Sequence, residues 1–274
     1  MNISDKVIKM LYCIAMIFLV AMIFIWMTGE TIFEGLEWEA QLFVSYTIIA
    51  IIAMGVIFLI YLGKMYKLST STGKIWLLIG LGMLGWLIGE IIYTYYDLYT
   101  EETPFPSIGD AFYLIAYLPF AIGLIMQMKL LEIKLPNLER VIVLISYVAA
   151  CVFVYFAAIL PIQQAYGLPI PDDVLLEVGI AVLYPILDLV LLFCVLVVFF
   201  KLRHGKINIA WILLLIGILL TIIADITFNY VENVLETESL FELYDLMFLA
   251  GYLFILISAL SVINIMTKTF DSEK

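Results

Sequence analysis

The sequence predicts an all-α integral membrane protein of eight transmembrane helices, built as two parallel four-helix repeats. Three observations lead there. Of 274 residues, 65% are hydrophobic and only 14% charged, with a mean hydropathy of +1.15; soluble domains run nearer half apolar and a quarter charged. Apolar stretches of about 20 residues or more, each enough to cross ~30 Å of hydrocarbon as a helix, recur at 7–28, 40–63, 74–98, 108–130, 138–160, 174–200, 207–231 and 240–266. Finally, the segments between them alternate in charge.

The first stretch follows Lys6 and Lys9, as a signal peptide would. Its apolar run is too long for one, and no small-residue cleavage site follows, so it reads as a membrane anchor. From there the basic residues fall on alternate connections. Lys64, Lys67 and Lys74 follow span 2, and Lys129, Lys134 and Arg140 follow span 4. Lys201, Arg203 and Lys206 follow span 6, and Lys268 and Lys274 lie at the tail. With the N-terminal pair these are all 13 basic residues. The opposite connections carry Glu30, Glu34, Glu37 and Glu39, then Glu101 and Glu102, then Asp172 and Asp173, then Glu236 and Glu238. The excess of Lys and Arg on one side predicts a multi-pass protein of the cell membrane with both termini in the cytoplasm. The net charge of −11 resides in loops and buried carboxylates and argues against nucleic acid as a partner.

The stretch from Trp86 to Tyr117 recurs without a gap 135 residues later. Trp76 falls on Trp211, Gly82 on Gly217, Glu90 on Asp225, Tyr95 on Tyr230, Asp97 on Glu232, Asp110 on Asp245 and Tyr117 on Tyr252. Leu and Ile matches mean little in so apolar a chain, but polar and aromatic landmarks in one register indicate an internal duplication. The predicted units are 1–135 and 136–274. A unit of four spans keeps its orientation, so the repeats are expected to be related by an axis along the membrane normal. The match covers spans 3–4 against 7–8; spans 1–2 and 5–6 share no register.

The chemistry lies in carboxylates. Glu90, Thr94 and Asp97 share one face of span 3 at i, i+4, i+7, as do Asp225, Asn229 and Glu232 on span 7. Asp110, Tyr113 and Tyr117 form a stripe on span 4, matched by Asp245, Phe248 and Tyr252 on span 8. Asp188 stands alone near the middle of span 6, three residues after Pro185, whose ring frees the Ala181 carbonyl. A carboxylate in hydrocarbon costs roughly 2.5–3.5 kcal/mol on the insertion scale. The usual relief is a basic partner, and every Lys and Arg is expected on the other side. Three arrangements remain: a protonated carboxyl bonded to Tyr, Thr or Asn, a water-filled vestibule, or a bound cation. The short connections make spans 3 and 4 antiparallel neighbours, and likewise 7 and 8. Glu90 with Asp110, and Asp225 with Asp245, are therefore expected to converge and share a water, a proton or a cation.

Each of these residues also has a purely structural reading. Ser107-Ile-Gly-Asp110 fits a capping box, and Ser239-Leu-Phe-Glu242 fits another three residues out of register. Capping thus accounts for Asp110 or Asp245, but not both. Asp97 and Glu232 stand near helix ends, where carboxylates are solvated. Tyr93, Tyr95, Tyr96 and Tyr99 suit an interfacial aromatic belt, and a protonated Asp188 bonded to a neighbouring helix serves stability alone. Gly85-x-x-x-Gly89 permits close helix packing. Cys13, Cys151 and Cys194 lie in apolar runs as inert packing residues, and no Cys or His spacing suits a metal. The one histidine, His204, sits in a basic loop, which excludes a heme or histidine-rich centre. No cofactor is expected.

The residues Gly89, Glu90, Pro104, Pro106, Ser107, Asp110, Tyr113, Tyr117, Gly123 and Leu124, in GEIIYTYYDLY and PFPSIGDAFYLIAYLPFAIGL, carry a family resemblance. The pattern resembles the multispanning N-terminal region of prokaryotic membrane histidine kinases and diguanylate cyclases. The resemblance implies a sensory or ligand-binding membrane module. It names no ligand and no catalytic residue. The chain departs from the family in ending at Lys274 without an output domain, so the signal is expected to pass to a cytoplasmic or membrane partner.

Two function classes follow. The first is a sensory or binding module with an acidic, outward-facing site made by Glu90, Asp110, Asp225, Asp245, Asp188, Tyr113, Tyr117 and Tyr252. The alternative is a small cation- or proton-coupled transporter, which parallel repeats and a mid-membrane carboxylate also suit. No Ser-His or Cys-His pair lies in the membrane and no phosphate loop exists, so an enzyme is not expected. Asp110 and Asp245 are repeat-related and too near the surface for a two-aspartate intramembrane hydrolase.

Overall fold

The computed structural model describes residues 5–32, 35–100, 104–132, 134–167, 169–202, 208–231 and 243–272. Among these residues all regular structure is helical, and no strand occurs. In chain order the elements are α1 (Asp5–Ile32), α2 (Glu37–Met65), α3 (Ser71–Tyr99), α4 (Ile108–Leu130) and α5 (Asn137–Val154). A π-helical turn (Tyr155–Ile159) and α6 (Leu160–Tyr166) follow, then α7 (Leu175–Leu202), α8 (Asn208–Tyr230) and α9 (Leu243–Ser272). Seven helices are long and apolar enough to cross a membrane, with α5, the π turn and α6 acting as one rod, Asn137–Tyr166. Sequence reading expects eight crossings; over its described residues α1 provides a shorter apolar segment, Lys9–Ala21.

Local signals set several boundaries. The Thr70 side chain caps α3, its Oγ1 accepting from the Gly73 N–H at 3.0 Å, and Ser107 caps α4. Pro161 explains the π turn. Its ring clashes with the carbonyl four residues back and offers no N–H, so the turn ahead of it widens while the rod continues.

The perimeter is apolar. Val141, Leu144, Ile145, Val148, Val152, Phe153 and Phe156 on the α5 rod stand exposed, as do Ile115, Leu118, Ile122 and Ile125 on α4, which suits a lipid surround. The core runs along the centre of the bundle. Ile51, Ile52, Leu59 and Leu62 of α2 meet Ile75, Trp76, Ile79 and Met83 of α3, Phe120 and Leu124 of α4, and α7, α8 and α9. Helix α9 is the most enclosed span and the α5 rod the least.

Two hairpins are the tightest units: α3 with α4, and α8 with α9. Glycines make both close. A Cβ on Gly85 would lie 2.7 Å from the Ala116 Cβ, and one on Gly82 would enter the Phe120 ring. In the second hairpin, a Cβ on Gly217 would lie 2.7 Å from the Gly251 carbonyl oxygen and 2.7 Å from Ile255. Gly217 and Ile255 stand 135 residues after Gly82 and Phe120. The hairpins also meet each other, with the Trp76 and Trp211 rings 5.1 Å apart. Around them α2 packs on α3 and α9, while α7 packs on α4 and α8.

These contacts make a stability prediction. Gly217→Ala places a methyl against backbone that cannot yield, an overpacking cost of about 1–3 kcal/mol. Gly179→Ala, where nothing lies within 4 Å of the new carbon, should leave stability unchanged or raised, since glycine is the poorer helix former. Thermal unfolding in detergent should lower the midpoint for the first variant only.

Candidate acid–tyrosine site

The polar groups gather around the end of the bundle where α3 ends and α4 begins, away from the lysine-bearing connections. On α3, Glu90 is half-buried. It accepts from the Tyr113 hydroxyl of α4 at 2.8 Å. This bond depends on Gly89, since a Cβ there would sit 2.9 Å from the Tyr113 ring. The sequence pair Gly85 and Gly89 thus brings α4 onto α3, and the contact lets Tyr113 reach Glu90.

Asp110 lies in the first turn of α4 and does two things. Its Oδ2 accepts from the Ser107 N–H at 2.6 Å and from the Ser107 hydroxyl at 2.9 Å, while Ser107 Oγ accepts from the Gly109 N–H at 3.0 Å. This is the capping box read in the sequence. Its Oδ1 accepts from the Tyr184 hydroxyl of α7 at 2.9 Å. Glu90 and Asp110 are the pair expected from the sequence to converge and share a water, a proton or a cation. Each is drawn to a tyrosine, Glu90 to Tyr113 and Asp110 to Tyr184, because the cap turns Asp110 back toward its own helix start.

Asp188 is the centre of the arrangement. It faces the bundle interior and is only 1% exposed. Its Oδ1 accepts from the Tyr117 hydroxyl of α4 at 2.7 Å. Tyr117 is also within hydrogen-bonding reach of Asp225 of α8, and Asp188 and Asp225 interact electrostatically. The second Asp188 oxygen, Oδ2, is buried without a hydrogen-bond partner. Such an atom loses its hydration and recovers nothing, unless a proton or a cation joins it to its neighbour.

A shell of rings encloses these groups. Trp86 lies 6.2 Å from Tyr117, 4.6 Å from Phe120 and 6.0 Å from Tyr252, while Tyr117 meets Tyr184 edge-on at 6.5 Å. Tyr252, 3% exposed, stacks on Phe248 at 6.2 Å and 15°, and interacts electrostatically with Glu90 and Asp225. The stripes Asp110–Tyr113–Tyr117 and Phe248–Tyr252 thus both face inward.

Of the expected site residues, the structure joins Glu90, Tyr113, Asp110, Tyr117, Asp188, Asp225 and Tyr252. Asp245 stands half-buried in the first turn of α9, and is not a carboxylate that Tyr113, Tyr117 or Tyr184 reaches through the bonds above. Thr94 is buried. Asp97, exposed, accepts from Gln41 at 2.9 Å, and Tyr99 is exposed and bonded to Tyr46 at 3.0 Å; both lie outside the cluster. Glu101, Glu102, Arg203, His204, Lys206, Glu232 and the Ser239–Glu242 box lie outside the described residues, as does the Asn229 side chain. Sequence reasoning missed Tyr184 and Trp86. Tyr184 had a signal, since it precedes Asp188 by four residues and so shares its helix face. Among the described residues no group of three or more His, Cys, Asp or Glu could hold a metal ion.

The bonds predict unequal tyrosine substitutions. Tyr117→Phe removes a donor from a buried carboxylate, a cost of about 1–3 kcal/mol, and should lower the thermal midpoint clearly. Tyr46→Phe removes a bond at the exposed rim and should leave the midpoint at the wild-type value.

No protein-family model, curated protein or solved structure matches the chain, so its function must be argued from this site.

Proposed function

We propose that the chain is a sensory membrane module whose acid–tyrosine cluster is the binding site, that the ligand is a proton or small cation, and that the signal passes to a partner protein. The observation that carries this reading is Asp188. It is a buried carboxylate sharing the Tyr117 hydroxyl with Asp225 and having one oxygen without a partner. Among the described bonds of the cluster the donors are tyrosine and serine hydroxyls and a backbone N–H, not Lys or Arg. Its bonds run between helices, from α4 to α3 and between α4 and α7. Binding that makes or breaks them shifts helix packing, which is how a local charge change becomes a signal. The resemblance of 89–124 to sensory regions points the same way.

The architecture expected from the sequence suits this reading: eight crossings with α1 as the first, both termini cytoplasmic, and two parallel four-helix repeats. Trp76 meets its own counterpart Trp211, as residues beside a two-fold axis do. The pairings α2–α9 and α7–α4 exchange under the same relation. In that orientation the cluster lies toward the outer face.

Transport is the second reading, and two prolines favour it. Pro185 lies inside α7 less than one turn before Asp188, and Pro119 lies inside α4 just after Tyr117. Helices broken at a mid-membrane carboxylate are a transporter device.

Thermal unfolding in nanodiscs, over a range of pH and of sodium and potassium concentration, tests the binding site. The wild type should shift, and the Glu90→Gln/Asp225→Asn double variant should not. A shift unchanged in the double variant would mean that the cluster is not the site. Proteoliposomes with an entrapped pH dye separate the two readings, because a sensor shows no ion flux, whereas a transporter shows flux that Asp188→Asn abolishes.

A further inference from the structure

We propose that α6 and the first turns of α7 form a lid over the acid–tyrosine site, hinged at the π turn and at Pro185 and latched by the bond from Tyr184 to Asp110. The inference rests on the reading above that the cluster is a binding site, and it names the part that controls access to it.

The lid has a small core of its own. Ile162 of α6 and Val178 and Ala181 of α7 are buried together, with Tyr166, Ile170, Val174 and Val182 packed around them. This cluster is separate from the main core, which takes in Ile159 before it and Tyr184 and Leu187 after it. The Tyr166 hydroxyl ties the two helices further by donating to Glu177 at 2.6 Å. A unit that buries its apolar side chains internally keeps them buried when it moves as a body. Such units open locally at less cost than global unfolding.

Both borders of the cluster coincide with breaks in the helical ladder. On one side stands the π turn, Tyr155–Ile159, next to Pro161. On the other stands Pro185 inside α7, which offers no N–H to the Ala181 carbonyl, so the ladder lacks a bond where the lid ends. Prolines and π-helical turns are the places where helices kink.

Tyr184, the last side chain before Pro185, connects the lid to the site. It shares a helix face with Asp188 one turn on. Its ring meets Tyr117 edge-on at 6.5 Å, and its hydroxyl donates to Asp110 Oδ1 at 2.9 Å. This bond crosses from the lid to α4. The Tyr117–Asp188 bond lies on the bundle side of Pro185 and does not hold the lid. Tyr117 and Asp188 are both buried, and Asp188 Oδ2 has no hydrogen-bond partner. A ligand for that oxygen needs a way in, and the lid is the covering element with a break at each end.

Paired spin labels in nanodiscs test this, in a background of Cys13→Ser, Cys151→Ser and Cys194→Ala. One pair, Ile108→Cys with Leu176→Cys, spans α4 and the lid at exposed positions. A control pair, Phe43→Cys with Leu243→Cys, spans α2 and α9 at exposed positions. Tyr184→Phe should raise the population of a second, longer lid distance about tenfold, the effect of losing a bond to a charged group. The control pair should stay as in the wild type. Tyr117→Phe also takes a donor from a carboxylate, but on the bundle side of the hinge, and should leave the lid distance unchanged. In the wild type, amides of 160–166 and 175–184 should exchange hydrogen together, and faster than those of 108–117. This exchange decides the matter should Tyr184→Phe fail to fold. A lid distance unmoved by Tyr184→Phe overturns the proposal. So does one moved equally by Tyr117→Phe, or lid amides that exchange no faster than 108–117. A lid that opens in Tyr184→Phe while the wild-type thermal midpoint ignores pH and cations supports the hinge and defeats the binding reading. A midpoint that responds while the lid stays shut in that variant defeats the lid and leaves the binding reading standing.

Discussion

The structure depends on a shortage of donors. Carboxylates enter a bundle whose perimeter is apolar, and among the described bonds of the cluster it is mainly hydroxyls that meet their demand. Three tyrosines do most of this, with Tyr113 donating to Glu90, Tyr117 to Asp188 and Tyr184 to Asp110. Each hydroxyl has one proton to give, which makes the count tight. Each bond also crosses from one helix to another, so satisfying a carboxylate and fixing a helix position are the same event. Loss of one partner leaves a buried polar group uncompensated, which costs more than the bond itself contributes.

Small residues make these reaches possible. Gly89 lets the Tyr113 ring lie against the backbone of α3, and Gly85 admits Ala116, so α4 sits close enough for a hydroxyl on one helix to find a carboxylate on the next. Van der Waals packing of this kind is what holds helices together in lipid, where the hydrophobic effect between them is absent. The rings of Trp86, Phe120, Phe248 and Tyr252 then close around the acids. They keep the local dielectric low, which strengthens every electrostatic interaction inside. Close packing and polar satisfaction therefore support each other at one place in the bundle.

In the proposed reading, this coupling makes the site responsive. A single charge added or removed at Asp188 alters bonds that tie α4 to α7 and bear on α8. The helices α4 and α7, each carrying a proline beside the site, are the ones that have a local break at which to move. A ligand shifts such an equilibrium only by its differential affinity for the two packings.

Much of this was legible in the chain. Composition and apolar length set the membrane class and the helix limits within a few residues, because hydrocarbon demands long helices whatever their neighbours. Helical periodicity placed Asp110, Tyr113 and Tyr117 on one face, and Pro185 and Asp188 together near mid-helix. The spacing of Tyr184 and Asp188 was equally available and went unread. What tertiary structure decided was the pairing. The sequence argument expected Glu90 and Asp110 to converge because a short hairpin makes them neighbours in depth; their donors were set by packing, Tyr113 for Glu90 and Tyr184 for the Asp110 oxygen that the cap leaves available. Tyr117 and Asp188, 71 residues apart, meet only because α4 packs on α7. Hydropathy records how much of a helix is apolar and periodicity records which residues share its face. Neither records which helix that face will meet, because that choice is made by the fit of side chains between helices distant in the chain.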